Sequence, residues 1–499
     1  MKGLKILISA VFVWLIMFQC CSSPNNGENG ELTLFSISPS SKVSHMPSFT
    51  LSAFGTNFVP GSEIIFNGVS KQTDYISSTE LTCQIDTYDI TLNPSAANGD
   101  ESSSGNLVPV LVRNPAPGGG DSNSTSFIIE SNYTFYDEKT IFACSDEQKY
   151  PAISADRAGN INVVWMNRKD NPEICFSRSI DEGATWTQEL IISETREDSD
   201  GPAIAVDSAG NINVAWDDFP IRMEWPHSDI RFCRSTDNGM TWCQAVTINK
   251  LGAFCRPEIA VDSEGNLNVV WWDTPDLYSY NGEIWFSRST DNGSTWSPAV
   301  LISTNSESSF NPAIAIDIEG NINVVWQGHL KDNDGICFSR STDYGATWSP
   351  AEIVSSGLRD RGPEIAVDNE GNIIVVWYDH NPMVLFSRSI DYGMTWSQPI
   401  AIPGRGFRGR PSVAVDEAGN INVVWEYYSS INPMNYTICF SRSIDGGVTW
   451  SKWLEISKSS EFAGFPKIAV DSAGNINVVW AGSATENGLS SIFFSGSIR

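Results

Sequence analysis

Four places in this chain set a carboxylate or an aromatic ring directly after a recurring tryptophan, and no two of them are alike. They read Asp217-Asp218 after Trp216, Trp272-Asp273 after Trp271, Tyr378-Asp379-His380 after Trp377, and Glu426-Tyr427-Tyr428 after Trp425. Just before other recurring segments stand Arg256, Arg361 and Arg410, with Arg405 and Arg408 close by. This mixture suits a sugar, an acidic one above all. Aromatic faces stack on pyranose C–H surfaces, and a guanidinium fork grips a carboxylate or sulfate through two parallel bonds. Carboxylates flanking a glycosidic bond serve as acid, base or nucleophile. The candidates for catalysis are Asp273, Asp379, Glu426 and Tyr427, and those for ligand binding are Arg256, Arg361, Arg410, Trp272, Tyr378 and Asp217. An exposed indole such as Trp272 or Trp225 needs a partner to cover it. No Cys/His spacing suggests zinc and no loop has a calcium-chelating pattern, so neither metal nor cofactor is expected.

What positions these residues is a repeat. The string Pro-x-Ile-Ala-Val-Asp-x-x-Gly-Asn-Ile-Asn-Val-Val-Trp recurs with variations seven times, ending at Trp165, Trp216, Trp271, Trp326, Trp377, Trp425 and Trp480. A period near 50 residues with several β-runs per unit predicts an all-β, seven-bladed propeller of four-stranded blades. The seventh unit stops after its third strand at Arg499. An open ring would leave backbone edges unpaired, so Lys139 to Ala143 is expected to supply the missing outer strand. Short turns joining strands one to two and three to four fall on one face and hardly vary between units. The connections on the other face diverge sharply. Copies sharing one scaffold do not need such divergence for folding, so that face is where a ligand would be selected.

Between third and fourth strands lies Ser-x-Asp-x-Gly-x-Thr-Trp, six times, from Ser179–Trp186 to Ser443–Trp450. It resembles the Asp-box (BNR) repeat of sialidase-type propellers. Its aspartates Asp181, Asp237, Asp291, Asp343, Asp391 and Asp445 are expected to brace the hairpin turn rather than to catalyse, since six equivalent groups cannot each be the catalyst. The recurring arginines from Arg178 to Arg442 are read as scaffold likewise. Thirteen repeated Trp anchor the sheets; burying one removes about 150–250 Å² from water, at most roughly 4–6 kcal/mol. Sialidases hold the substrate carboxylate with three Arg and use a Tyr backed by Glu, with an Asp as acid/base. The resemblance would assign Arg256, Arg361 and Arg410 to the first role and Tyr427 with Glu426 to the second. Two departures stand against it: Lys149-Tyr-Pro-Ala152 replaces the family's Arg-Ile-Pro motif, and sialidase propellers have six blades.

Residues 1–21 read as an export segment, with Lys2 and Lys5 before the apolar run Ile6–Phe18, and residues 22–31 as a polar linker. The run ends at Cys20-Cys21 and resembles a bacterial lipoprotein signal, which implies lipidation at Cys21. Residues 32–130 carry Gly55-Thr-Asn-Phe-Val-Pro-Gly-Ser62, Phe66-Asn-Gly68 and Asn114-Pro-Ala-Pro-Gly-Gly-Gly120. These resemble the IPT/TIG domain, an immunoglobulin-like β-sandwich; Asn98–Gly105 would be a loop insertion. Residues 138–499 form the propeller. Of the remaining cysteines, Cys175, Cys337 and Cys439 fill a core slot, while Cys233 with Cys243, or Cys243 with Cys255, are the pairs that can bridge.

The net charge of -28 excludes nucleic acid and anionic lipid as partners held by bulk electrostatics. The expectation is a monomer outside the cytoplasm, at a bacterial surface or in the periplasm, touching membrane only through its anchor. It would recognise a glycan or a cell-surface protein. A glycoside hydrolase or polysaccharide lyase acting on acidic glycans is the second reading, and a protein–protein scaffold the third.

Overall fold

In the computed structural model, the described residues are 31–498 apart from 44–47, 91–105, 117–118, 131–133, 143–145, 169–170, 194–197, 220–227, 253–255, 275–280, 305–307, 331–332, 356, 358, 381–382, 405–408, 410, 429–435, 459–461 and 484–488. Expectations concerning Cys20, Cys21, the 98–105 insertion, Trp225, Cys255, Arg405, Arg408 and Arg410 fall outside them. Among the described residues no helix is long and apolar enough to cross a membrane.

The chain divides into two compact units. The smaller is all-β. Strands Thr33–Ser38, Phe49–Thr56, Glu80–Ile85 and Thr73–Ser77 form one sheet in that order; Thr125–Glu130, Asn106–Arg113, Glu63–Phe66 and Val69–Ser70 are successive neighbours in another. Alternation places Leu51, Ala53, Ile64, Phe66, Leu81, Val110 and Val112 inside, and Phe127 meets Phe49 and Phe66 at 5.7 and 5.3 Å between ring centres.

Among the described residues, the larger unit shows a succession of seven sheets. Their first strands are Glu147–Ala155, Asp198–Val206, Glu258–Val261, Ser308–Ile316, Arg361–Val367, Ser412–Val415 and Phe462–Val470. In the first six, strands pair antiparallel in chain order, four to a sheet. In the seventh, the last strand Ser491–Ile498 is flanked by Lys139–Phe142 (Lys139 opposite Phe494) and Thr134–Phe135 (Phe135 opposite Ser497), both from upstream of the first repeat. One apolar cluster fills each gap between consecutive sheets. Another joins the seventh to the first, with Val479, Ile492 and Phe494 against Ile161, Val163 and Trp165, and with Ile141 in the same cluster.

The Asp-box motif explains how neighbouring sheets lock. In the box at Ser289, the Asp291 carboxylate accepts the Thr295 N–H at 2.8 Å and the Thr295 hydroxyl at 2.6 Å, while Ser289 Oγ accepts the Gly293 N–H at 2.9 Å. These donors, the Thr295 hydroxyl first, hold Asp291 below its ordinary pKa, and the same holds for Asp181, Asp237, Asp343 and Asp391. The turn sets Trp296 edge-on to Phe232 of the preceding sheet, 5.3 Å between centres. Five further Trp/Phe pairs repeat this joint. The seventh sheet has no box, and Phe135 takes the Trp's place, edge-on to Phe440 at 5.0 Å. The recurring Arg of the third strand pairs with the Asp that ends the first, as Arg178 with Asp156 at 2.7 Å and Arg442 with Asp416 at 2.6 Å. Both motifs are thus absorbed by the scaffold.

The joint leaves no room for a side chain at the box glycine. Gly293 has φ 83°, and a Cβ there would fall on the Phe232 ring, whereas Gly265 (φ 85°) has nothing within 4 Å of such an atom. Gly293→Ala is expected to cost roughly 2–4 kcal/mol, from left-handed strain plus overpacking. Gly265→Ala is expected to cost only the backbone part, about 1 kcal/mol. Urea midpoints of the two variants read the clash as their difference; equal losses would show that the joint tolerates a methyl group.

Candidate functional site at the first-strand bulges

Each repeat begins with a residue followed by proline. Proline has no N–H for the ladder, so the register skips there, as between Lys149 and Ala152, Asp200 and Ala203, or Gly464 and Lys467. The residue before it turns left-handed: Tyr150 (φ 51°), Gly201 (55°), Arg256 (35°), Asn311 (49°), Gly362 (54°) and Phe465 (57°). For Tyr, Arg and Phe that conformation is costly and persists only where surroundings hold it. These bulges sit at one end of the first strands. The Asp-boxes and the turns between first and second strands sit at the other, since Ala155, Ile161 and Ser179 are successive cross-strand partners.

Two of these bulges are held by a carboxylate of the preceding sheet. Asp217 Oδ2 accepts the Arg256 N–H at 2.7 Å, and Glu426 Oε1 accepts the Phe465 N–H at 2.6 Å; each acid follows the second-strand Trp of one sheet and grips the bulge of the next. The bulge side chains then meet. Tyr150 lies edge-on to Phe465 at 4.7 Å, and the Arg256 guanidinium stands 5.8 Å from the centre of the Tyr150 ring. Arg256 belongs to the third sheet and Tyr150 to the first. Between them the second sheet offers Gly201, where a Cβ would already touch Arg256 Cγ at 3.8 Å.

Asp200 and Asp217 are direct cross-strand partners in the second sheet. Asp217 is 2% exposed, and burial pushes its carboxyl up to about 8; the Arg256 N–H pulls the other way, and Asp200 and Asp218 add to the rise. Asp200, partly exposed, is raised too, first by burial, against the Gly201 N–H and Arg256. Its neighbour Asp218 is fully buried and spent on structure, accepting from Ser199 Oγ (2.6 Å), Trp216 Nε1 (3.0 Å) and Arg231 Nε (3.1 Å).

Two residues past the bulges, three first strands are strapped together. Lys467 Nζ reaches Glu364 Oε1 at 2.7 Å and Glu258 Oε1 at 3.3 Å, tying the seventh, fifth and third sheets. Burial opposes the ammonium, but the two carboxylates more than offset it and hold the Lys467 pKa above its ordinary value. Each of the three stands two residues past a bulge; Ala152, Ala203, Ala313 and Ser412 occupy the same position in the other sheets and leave the strap space.

The candidates read from sequence divide into groups. Arg256, Asp217 and Glu426 join the bulge cluster, Asp217 and Glu426 as its backbone holders. Arg361 is exposed and lines a separate cavity of about 100 Å³ between the fourth and fifth sheets, with Arg359, His329, Gln327, Phe310 and Asp360. Asp379 closes a turn, accepting the Met383 N–H at 3.0 Å. Asp273 faces Glu283 across the strand pair. Trp272, expected as an exposed stacking face, is partly buried with its ring edge-on to Phe310 at 5.1 Å. Tyr378 packs partly buried on the core between the fifth and sixth sheets; Tyr427 does the same and tilts against Trp453 at 5.7 Å. Tyr150, Asp200, Phe465, Lys467, Glu258, Glu364 and Arg359 were not singled out from sequence. The signal for Tyr150 and Phe465 was present: the residue before the repeat proline differs from unit to unit.

Residues 287–478 match the BNR repeat-like domain. That BNR-type stretch runs from the third sheet into the seventh. No curated protein matches the chain. Among solved structures, a Dyadobacter fermentans protein of unknown function is similar at TM-score 0.51 and 14% identity, over 74% of this chain and 99% of its own. The Hadza microbial sialidase Hz136 is similar at TM-score 0.44 and 16% identity, over 84% and 75%. A Penicillium chrysogenum α-L-arabinanase is similar at TM-score 0.45 and 18% identity, over 72% and 98%. The chain is an all-β protein built mostly of four-stranded sheets, with a BNR repeat-like stretch over 287–478.

Proposed function

We propose that this chain is a seven-bladed propeller that binds a glycan at the mouth of its channel, on the face opposite the Asp-boxes. One observation carries the reading. The scaffold delivers a left-handed residue to the same place in sheet after sheet, and those residues, unlike the turns at the other end, vary: Tyr150, Arg256, Asn311 and Phe465 each differ, and only Gly201 and Gly362 share a type. An apolar rim of Tyr150 and Phe465 beside the Arg256 guanidinium offers a stacking face and an anion grip together. Arg359 and Arg361 supply a second cationic cleft on the same face for an acidic substituent, in a chain whose net charge is -28. Arg410, before the sixth repeat proline, belongs by position to the same set.

The remaining parts of the reading follow the sequence. Residues 1–21 export the chain, Cys21 carries a lipid anchor, and an IPT/TIG-like sandwich over 32–130 acts as a spacer. The protein works outside the cytoplasm as a monomer, without nucleic acid or cofactor, and its partner is a glycan or a glycosylated surface protein.

A second reading, glycoside hydrolase, is favoured by the Asp200/Asp217 pair, two carboxyls opposite one another and both raised, so that one can hold a proton while the other is ionised. Arg256→Ala and Tyr150→Ala should each weaken glycan-array binding at least tenfold while leaving the unfolding temperature within a few degrees of the parent. Turnover of a fluorogenic acidic glycoside, lost in Asp200→Asn, would instead establish the hydrolase. A parent protein that neither binds nor cleaves any glycan removes both readings and leaves the protein–protein scaffold.

A further inference from the structure

The second sheet departs from the other five Asp-box sheets at one pair of side chains. Elsewhere a third-strand hydroxyl faces the hydroxyl just past the Asp-box Trp: Ser287 and Ser297 lie 3.4 Å apart between oxygens, Ser339 and Ser349 3.3 Å, Ser441 and Ser451 3.3 Å. The same contact recurs in the first and fifth sheets. In the second sheet both members are cysteine, Cys233 and Cys243.

The frame around them is unchanged. The Cys243 N–H donates to the Arg234 carbonyl at 2.9 Å, as Ser297 does to Arg288 at 2.8 Å. The Arg234 N–H points at Cys243 Sγ at 3.2 Å, as the Arg288 N–H points at Ser297 Oγ at 3.0 Å. A backbone that holds two γ-oxygens in hydrogen-bond contact needs only side-chain rotation, given the longer C–S bonds, to bring two sulfurs to about 2.05 Å. A single Ser→Cys change would have broken the pair; replacing both members keeps a pair of a different chemistry.

We infer that Cys233 and Cys243 form an intramolecular disulfide on exchange with a low-molecular-weight disulfide such as oxidised glutathione. Cys243 is exposed and reacts first. Its thiolate attacks one glutathione sulfur, the glutathione S–S bond breaks, and one glutathione thiolate leaves. Cys233 is buried, and burial with Cys243 nearby pushes its thiol up, so the second step is the slower one. Cys233 gives its proton to solvent and attacks the mixed disulfide at the Cys243 sulfur, releasing the second glutathione thiolate. Two protein thiols are oxidised and one glutathione disulfide is reduced to two thiols. The bond closes the Asp-box hairpin of the sheet that carries Asp200 and Asp217, whose fourth strand Val246–Gly252 leads to Arg256.

The test uses the full chain incubated with oxidised glutathione, then alkylated under denaturing conditions and mapped by mass spectrometry. The expected main product is the Cys233–Cys243 linked peptide, with an unfolding temperature about 4 °C higher that dithiothreitol reverses. The double variant C233S/C243S rebuilds the Ser pair of the other sheets, so it is expected to fold and to show no shift. A lasting glutathione adduct on Cys243, a Cys243–Cys255 linkage, or full alkylation of both thiols would each overturn the inference.

Discussion

Ile141→Asp is expected to unfasten the seventh sheet and to cost more than about 4 kcal/mol, because it buries an unpaired charge. Ile141 is 8% exposed and belongs to the cluster that joins the seventh sheet to the first, among Trp165, Val479, Ile492 and Phe494. It lies on Lys139–Phe142, which borders the last strand together with Thr134–Phe135. Without that segment the strand Ser491–Ile498 presents an open edge over Ile492–Phe494, and the upstream Thr134–Phe135, whose Phe135 meets Phe440, loses its continuation along that strand. The neighbouring Thr140 is exposed, so Thr140→Asp serves as control and should change stability by less than about 0.5 kcal/mol. Calorimetry and limited proteolysis of the two variants decide the matter. Equal stability would mean that the ring does not depend on its N-terminal closure.

Asp217→Asn is expected to stabilise the protein at alkaline pH and to leave it unchanged near pH 4. The Asp217 carboxyl rises from 3.8 to about 8 on folding, chiefly through burial. A raised acid binds its proton more tightly when folded. Its penalty is absent below the unfolded value and grows as pH climbs from about 4 to about 8. At ~1.4 kcal/mol per pH unit it reaches, as an upper bound, on the order of 5 kcal/mol. Asparagine cannot ionise, yet its carbonyl can still accept the Arg256 N–H that Asp217 accepts at 2.7 Å. The variant's unfolding temperature should therefore exceed the parent's at pH 8–9 and converge with it in acid. A pH-independent difference would show that the Asp217 carboxyl is not buried in the working protein. The same measurement bears on function: with its acceptor kept, Arg256 should bind ligand as before, whereas Asp217→Ala removes the acceptor and should weaken binding with the left-handed turn it supports.

The two halves of the sequence reading differ in how far they reached. Asp181 and its five counterparts were legible as braces because a hairpin brace is local: carboxylate, glycine and threonine lie within four residues, and their bonds are made there. The pairing of Lys139–Phe142 with the last strand was legible because a missing fourth strand leaves an edge that some segment must cover. The site was less legible. Asp217 looked like a ligand-facing acid because it follows a strand-ending Trp, but that position lies behind the bulge of the next sheet, where it grips a backbone N–H. Trp272 looked exposed for want of a visible partner, and its partner Phe310 is 38 residues on. Tyr150 and Phe465 were passed over, although Arg256 before its proline was not, because an aromatic residue before proline reads as core or spacer until its backbone is seen to turn left-handed beside the Arg256 guanidinium.

By itself, the chain's primary structure determined the all-β repeat of about 50 residues and which end of each repeat is uniform, since both depend on residues within one repeat. It did not determine where the first and second strands begin and end, since Glu147–Ala155 begins ahead of the repeat proline and Ile161–Arg168 runs past Trp165. Only the tertiary structure decided that Tyr150 meets Arg256 and Phe465, and that Lys467 crosses to Glu258 and Glu364. These partners lie about one hundred to more than three hundred residues apart. Nothing in local periodicity specifies which side chains of distant sheets face one another; that follows from how the first strands pack and from the bulges that turn each of them near its start.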